Sequence, residues 1–209
     1  MISCFKTVSE PAGPVEIKEK SSRFISCCFP VKTKEDVDNI LKRQKKEYYD
    51  STHICYAYIL GNGEISQFRY NDDGEPSGTA GIPVYNEILR KELFNVLVTS
   101  VRYFGGVKLG TGGLARAYGT SARAVLETAQ IKIVSIKEML ILKAPYDMTG
   151  LSMNHIGLFE GTEIISNGYD EAGIVVELMV PVGSVQKFID DMTEKSRAKV
   201  SIIKKSDGQ

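Results

Sequence analysis

Short runs of alternating or continuous apolar residues predict a series of β-strands in the first half of the chain. These strands cover residues 16–20, 23–29, 54–60, 64–70 and 93–104. The turn at residues 61–63, Gly-Asn-Gly, tolerates positive φ angles and joins the third and fourth strands into a hairpin. In the last run Val96, Leu97 and Val98 follow one another, which is typical of a strand buried on both faces.

Apolar residues three and four positions apart predict three helices among these strands. The first is capped by Thr33 and runs to about Tyr48, and the other two cover residues 83–91 and 114–129. The inner face of the third helix carries Leu114, Ala117, Tyr118, Ser121 and Val125. A strand at residues 131–136 completes this part of the chain.

The remaining residues predict a second domain with the element order βαββαβ. Its strands cover residues 139–144, 163–167, 174–180 and 199–204, and its helices cover residues 147–158 and 184–197. This order is that of a ferredoxin-like domain. With the boundary near residues 134–137, the N-terminal domain is expected at 1–135 and the C-terminal domain at 136–209.

The charge balance gives the chain no overall attraction to nucleic acid or to an anionic membrane. Lys and Arg number 26, Asp and Glu number 26, and any anion site must therefore be a local cluster. No segment has the apolar length of a signal peptide or a membrane span. The four cysteines match no zinc or redox spacing. We expect a cytoplasmic protein with reduced cysteines and with no cofactor or metal, and nothing in the sequence specifies its oligomeric state.

The strongest chemical signal is the glycine-rich stretch RYFGGVKLGTGGL at residues 102–114, between a predicted strand and a predicted helix. Backbone N–H groups and the helix dipole favour an anion at such a helix start, and Lys108 and Arg116 add positive charge. The phosphate-loop motif would need lysine where Thr111 stands, and the dinucleotide motif would need glycine where Ala115 stands. A tight connection that needs glycine only for its backbone is the alternative. The residues expected to contact a ligand or its phosphates are Arg23, His53, Arg102, Lys108, Gly110, Thr111, Gly112, Gly113 and Arg116.

An acidic loop, NDDGEPSGTAG at residues 71–81, is the second signal. Its polar side chains are those of Asp72, Asp73, Glu75, Ser77 and Thr79. Three carboxylates in four residues could hold a hard cation, but their spacing differs from that of an EF-hand, and Asp-Asp-Gly is common in turns. The sequence favours a loop that neutralises, or is ordered by, the basic glycine-rich stretch.

His53 and Cys55 lie two positions apart on a predicted strand and therefore share a face. The pair suggests a base and a nucleophile, or two metal ligands. The other histidine, His155, belongs to the other predicted domain, so the motif does not form a complete set of metal ligands. A hydrogen-bonded histidine beside a core cysteine is favoured. A Ser-His-Asp catalytic triad stays an alternative, although the G-x-S-x-G motif is missing from the sequence.

Together these motifs resemble the IMPACT/YigZ family. The resemblance rests on SRFI at 22–25, His53 with CYAY at 55–58, DDGEPSGTAG at 72–81 and the stretch at 102–114, and it covers most of residues 15–125. Many family members have a second histidine where Ile54 stands here. The isoleucine at this position weakens any mechanism that uses a histidine pair.

The resemblance implies a fold and a cellular setting. The N-terminal domain should be a two-layer α/β domain with a left-handed βαβ crossover, like one in a small-subunit ribosomal protein and in elongation factor G. The C-terminal ferredoxin-like domain should be similar to the last domain of that factor. Eukaryotic members regulate translation with an additional partner-binding domain. This chain is expected to lack that domain, and the regulatory role is not expected to transfer.

We therefore expect a non-catalytic binding protein associated with translation or its regulation. Its glycine-rich loop would contact phosphates of RNA or of a nucleotide, and RNA, the ribosome or a translation factor are the expected partners. One alternative is an enzyme on a phosphorylated or acyl substrate, with His53 as base and the acidic loop holding a metal. Another is a protein–protein adaptor that uses the exposed face of the C-terminal sheet.

Overall fold

The structure, a computed structural model, describes residues 2–62 and 66–205. Helices and strands are mixed throughout, which confirms the predicted α+β class. The chain divides into two units, Met1–Val134 and Ser135–Gln209. Of the predicted hairpin, Gly63 and the first two residues of the strand at 64–70 lie outside the described residues.

The first seven strands are β1 (Cys4–Val8), β2 (Ala12–Glu19), β3 (Ser22–Pro30), β4 (His53–Gly61), β5 (Ser66–Asn71), β6 (Val96–Tyr103) and β7 (Ile131–Ser135). Five of these strands form an antiparallel sheet in the order β2-β3-β6-β4-β5, and the other two, β1 and β7, pair with each other. Strand β1 was not predicted, because a short strand that pairs only with a distant segment leaves little local pattern.

The helices of the first unit are α1 (Lys34–Glu47), α2 (Gly81–Arg90) and α3 (Thr111–Thr128). Helix α1 begins at a capping box in which Thr33, the predicted cap, bonds reciprocally with Asp36. Helix α3 begins three residues before the predicted start at Leu114, inside the glycine-rich stretch. Glycine has low helix propensity, so the sequence pattern alone placed the start too late.

Strand β6 lies at the centre of the sheet and is buried on both faces, as its apolar run predicted. Val96 and Val98 face α2 and α3, whereas Leu97 packs against α1. Helices therefore cover both faces of the sheet, one layer more than the two predicted. Strands β3 and β4 both run antiparallel to β6, so α1 connects two parallel strands. This connection is the expected βαβ crossover, and its left-handed sense stays a prediction.

The second unit has the element order βαββαβ. Its elements are β8 (Lys137–Pro145), α4 (Thr149–Leu158), β9 (Glu163–Asp170), β10 (Gly173–Pro181), α5 (Val185–Ser196) and β11 (Ser201–Lys204). The sheet order β11-β8-β10-β9, antiparallel throughout, is the ferredoxin-like order that the sequence predicted. Leu140, Leu178 and Phe188 belong to its buried core. Among the described residues, no helix of either unit is long and apolar enough to cross a membrane.

Candidate functional site

Residues from the predicted motifs meet at one end of the five-stranded sheet. Arg102, next to the last residue of β6, is paired in register with His53 at the start of β4 and with Phe24 of β3. The ring of Phe24 packs edge-on against Tyr118 of α3, with ring centroids 5.0 Å apart. This row of side chains therefore lies on the face of the sheet that α3 covers.

Glu75 of the acidic loop is the buried carboxylate at the centre of this row. Arg102 Nη1 donates to Glu75 Oε1 at 2.6 Å, and the hydroxyl of Tyr118 donates to the same oxygen at 2.8 Å. The side chains of Arg102 and Glu75 are only 6% and 4% exposed. A buried ion pair of this kind is costly to break, because either partner alone would be an uncompensated charge in the interior.

Arg102 also ties the start of the glycine-rich stretch to the sheet. Its Nη2 donates to Ser22 Oγ at 3.3 Å, and the same oxygen accepts the Gly105 N–H at 3.3 Å. The Phe24 and Phe104 rings lie 5.6 and 5.2 Å from the guanidinium carbon. Arg102 thus lies beneath the loop, and its pairing with Glu75 joins the acidic loop to the start of the glycine-rich stretch.

The other carboxylates of the acidic loop bind backbone N–H groups. Asp72 Oδ1 accepts from Ala80 at 3.0 Å and from Gly81 at 2.8 Å, so Asp72 caps the start of α2, and its Oδ2 accepts from Gly78. Asp73 Oδ2 accepts the Ile54 N–H at 2.6 Å. Among the described residues, no three His, Cys, Asp or Glu side chains are grouped to hold a metal ion.

Ser77 and Thr79, the remaining polar residues of the acidic loop, differ in their surroundings. Ser77 is exposed, whereas Thr79 is buried and its hydroxyl donates to the carbonyl oxygen of Pro76 at 2.6 Å. Thr79 therefore stabilises the turn of the loop rather than facing a ligand.

His53 is held by the backbone of the acidic loop. Its Nδ1 lies 2.7 Å from the Asp73 carbonyl oxygen, which can only accept, so Nδ1 carries the proton. Its Nε2 lies 3.9 Å from Glu75 Oε1. The neighbouring Cys55 thiol donates to the Asp72 carbonyl oxygen, and burial raises its pKa to about 12. Cys55 is therefore protonated at neutral pH, which fits the favoured interpretation of a hydrogen-bonded histidine beside a core cysteine.

The start of α3 carries an exposed cluster of donors and cations. Gly110, at φ +73°, is the N-cap, and the first helical bond runs from the Leu114 N–H to the Gly110 carbonyl oxygen. The helix has no side-chain cap and no acidic residue in its first turn. Lys108 and Arg116 are exposed, and the Arg116 Nη1 would lie 3.6 Å from a Cβ added at Gly112. Arg116 therefore turns back toward the helix start.

Arg23 does not join Arg102 on the face of the sheet that α3 covers. Its guanidinium binds Glu16 Oε2 at 2.9 Å and lies 5.3 Å from the centre of the Tyr103 ring. Residues 23 and 103 alternate with 24 and 102 along β3 and β6, so Arg23 faces the opposite side of the sheet.

Two residues of this site, Tyr118 and Ser22, were not predicted as site residues. Tyr118 was assigned to the inner face of its helix and Ser22 to a family motif. The available signal was the hydroxyl of a buried tyrosine, which requires a polar partner.

Comparisons with known proteins find the family that these motifs resemble. The sequence profile described as Impact N-terminal domain matches residues 20–126. A Bacillus subtilis protein described as IMPACT family member YvyE is 35% identical over 202 residues, 97% of this chain and 91% of that protein. Escherichia coli IMPACT family member YigZ is 31% identical over 198 residues, 92% of this chain and 95% of the relative. A crystal structure described as that of a hypothetical protein matches with a TM-score of 0.72 at 25% identity, covering 100% of both chains.

Breaking the buried pair should be strongly destabilising. We expect Glu75→Gln and Arg102→Gln each to lower the free energy of unfolding by about 3–5 kcal/mol, because each leaves one buried charge unpaired. The double variant should lose less than the sum of the two, as measured by urea denaturation. The same cycle at the exposed pair of Glu16 and Arg23 is the control and should show far weaker coupling. Additive losses at Glu75 and Arg102 would contradict the assignment.

The two ends of the glycine-rich stretch should differ in their tolerance of a methyl group. A Cβ at Gly105 would overlap the Ser21 carbonyl group, so we expect Gly105→Ala to cost about 1–3 kcal/mol in thermal or urea unfolding. A Cβ at Gly112 meets only the end of the Arg116 side chain at an ordinary distance, so Gly112→Ala should be neutral or slightly stabilising. Equal losses in the two variants would refute this view of the loop.

Proposed function

The chain belongs to the IMPACT family, which is linked to the regulation of translation, and on this premise we propose that it is a binding protein acting in that setting in the cytoplasm. Its glycine-rich loop and the start of α3 contact phosphate groups of RNA or of a nucleotide. The single observation that carries the proposal is the exposed, uncapped and cationic start of α3.

The contrast with α1 makes this observation informative. Helix α1 has a capping box and acidic Glu35 and Asp36 in its first turn, which compensate its N–H groups and its dipole. Helix α3 has neither, and Lys108 and Arg116 bring positive charge to the end where a negative charge is favourable. A bound anion would accept hydrogen bonds from the N–H groups of α3 and offset its dipole, as the capping box and the acidic residues do for α1.

The backbone at this helix start suits a phosphate group. The N–H groups of Thr111, Gly112 and Gly113 precede the first helical bond, which begins at Leu114. Glycine at positions 112 and 113 lets a ligand approach the main chain closely. Phosphate recognition needs only charge and such donors, and it carries no sequence preference of its own.

Hydrogen bonds at the start of the loop support the proposal by holding the loop in place before a ligand arrives. The Gly105 N–H binds Ser22 Oγ, and the Phe104 N–H binds Thr52 Oγ1 at 3.0 Å. A binding loop whose conformation is fixed in advance loses less entropy on binding. We therefore assign Lys108, Arg116 and the backbone at 110–113 to the phosphate, and Arg102 to positioning. Arg23 and His53 are engaged elsewhere, and the proposal does not use them.

An enzyme acting on a phosphorylated or acyl substrate is the second candidate. The favouring observation is His53, whose side chain is 21% exposed and whose Nε2 is free of the proton in the neutral ring. Against it, both Asp72 oxygens accept backbone N–H groups and Cys55 is protonated at neutral pH. Asp72 and Cys55 thus serve the loop and the core, so neither is available to His53 as a metal ligand or a nucleophile.

The phosphate site predicts a change in the salt dependence of RNA binding. Loss of two phosphate contacts in Lys108→Ala/Arg116→Ala should flatten the slope of log affinity against log salt by roughly 1.4 to 1.8, at about 0.7 per single-stranded and 0.9 per double-stranded contact. Fluorescence anisotropy with single-stranded and duplex RNA across a salt series measures both slopes, with thermal unfolding as the folding control.

The control for that experiment removes the same charge elsewhere. Lys45→Ala/Lys46→Ala takes two exposed cations from the last turn of α1, which packs on the opposite face of the sheet. Its slope should equal that of the unmodified protein. If the α3 variant keeps the original slope, or if the α1 variant shows the larger change, the glycine-rich loop is a structural connection and the assignment is wrong.

The binding-protein proposal and the enzyme alternative make opposite predictions about His53. We expect phosphate esters and acyl esters to show no turnover with the unmodified protein, and His53→Ala to bind RNA with unchanged affinity and salt slope. A substrate screen that finds multiple turnovers abolished by His53→Ala would overturn the binding-protein proposal.

A further inference from the structure

Four edge strands bound the two larger sheets in the described part of the chain, namely β2, β5, β9 and β11. An edge strand presents unpaired N–H and C=O groups that can bind a strand of another chain. Proteins block such pairing with proline, bulges, charged residues or very short strands.

Three of these edges carry such protection. Strand β2 contains Pro14, and its pairing with β3 is irregular between Ala12 and Val15. The pairing of β9 with β10 is interrupted by a register shift at Glu177, and acidic residues stand at both ends of β9. Strand β11 has only four residues and ends at Lys204. These edges are poor templates for a further strand.

Strand β5 has the least of this protection. Its six residues, SQFRYN, include no proline, pair with β4 in an unbroken register and contain Arg69 as the single charge. Phe68 and Tyr70 are 56% and 40% exposed. Their rings lie 4.8 and 6.3 Å from the Tyr85 ring of α2. An unprotected edge is thus joined to an exposed aromatic patch, the combination found where chains associate.

We propose that β5 pairs in antiparallel fashion with β5 of a second copy, about a twofold axis at Phe68. A twofold axis perpendicular to the sheet keeps each face of the strand on the same side in both copies, so the interface is self-complementary. Phe68 then stands opposite Phe68, Arg69 opposite Gln67, and Tyr70 opposite Ser66. The central pair is aromatic, and no like charges stand opposite each other.

The length of the strand and its charge pattern select this register and this partner. An axis at Phe68 pairs residues 66–70, whereas an axis at Tyr70 would pair only residues 69–71. An axis at Arg69 would place two arginines opposite each other, which is destabilising. A charged partner strand would find only Arg69 to pair with, because Ser66, Gln67 and Asn71 are uncharged. A second β5 brings the matching aromatic side chain and keeps both arginines apart. This inference is independent of the proposed phosphate site.

Disulfide trapping tests the pairing and its register. In a Cys4→Ser background the other native cysteines are buried. Residues directly opposite in an antiparallel pair have Cα atoms about 4.5–5.5 Å apart, within disulfide reach. We expect mild oxidation to link Phe68→Cys into a covalent dimer and to leave Arg69→Cys monomeric under denaturing conditions, because the residue opposite 69 is Gln67. Linkage of Arg69→Cys without that of Phe68→Cys would overturn the register.

Light scattering during size-exclusion chromatography tests the association itself. The unmodified chain should show twice the mass of one chain at high concentration. Phe68→Lys should lose the dimer at that concentration, because two positive charges would stand opposite each other, and circular dichroism checks its fold. The control Ile133→Lys changes an apolar side chain that is 69% exposed on β7 and should stay dimeric. A monomeric unmodified chain, or a Phe68→Lys variant that stays dimeric, would overturn the proposal.

Discussion

The buried ion pair between Glu75 and Arg102 is the interaction on which the arrangement of both loops depends. Charges removed from water need each other and further hydrogen bonds, and Tyr118 and Ser22 supply these bonds. Meeting this requirement fixes the acidic loop, the end of β6 and the middle of α3 relative to one another. It also sets the point from which the glycine-rich stretch leaves the sheet, because Ser22 binds the Gly105 N–H as well.

This constraint separates the charged residues of the first unit by role. Arg102 is enclosed and positions the loop, whereas Lys108 and Arg116 stay in water at the helix start. Asp72 and Asp73 are similarly occupied by backbone N–H groups. The enclosed charges hold the two loops in place, which leaves the exposed cations available to a ligand. A chain of zero net charge can thereby carry a local anion site.

The sheets raise a second general constraint, since every open sheet must protect its edges. Most edges of this protein are protected by proline, irregular register or short length. Strand β5 is regular and aromatic, and its exposed rings pack on α2, the helix that Asp72 caps. The acidic loop therefore has two consequences for the surface. It anchors the glycine-rich loop through Glu75, and it fixes the helix on which the aromatic edge rests.

Amino-acid patterns alone were enough to predict most of the elements and the class of the fold. Strong local periodicity produced β6, α1, α3 and the βαββαβ order of the second unit, because apolar spacing must match the period of the element that buries it. Motif chemistry identified the glycine-rich and acidic loops. The role of each charge became clear only from the folded arrangement. Partners such as Glu75 and Arg102 are distant in sequence. Strand register, which depends on both paired strands together, decides that Arg102 is enclosed while Arg23 faces the other side.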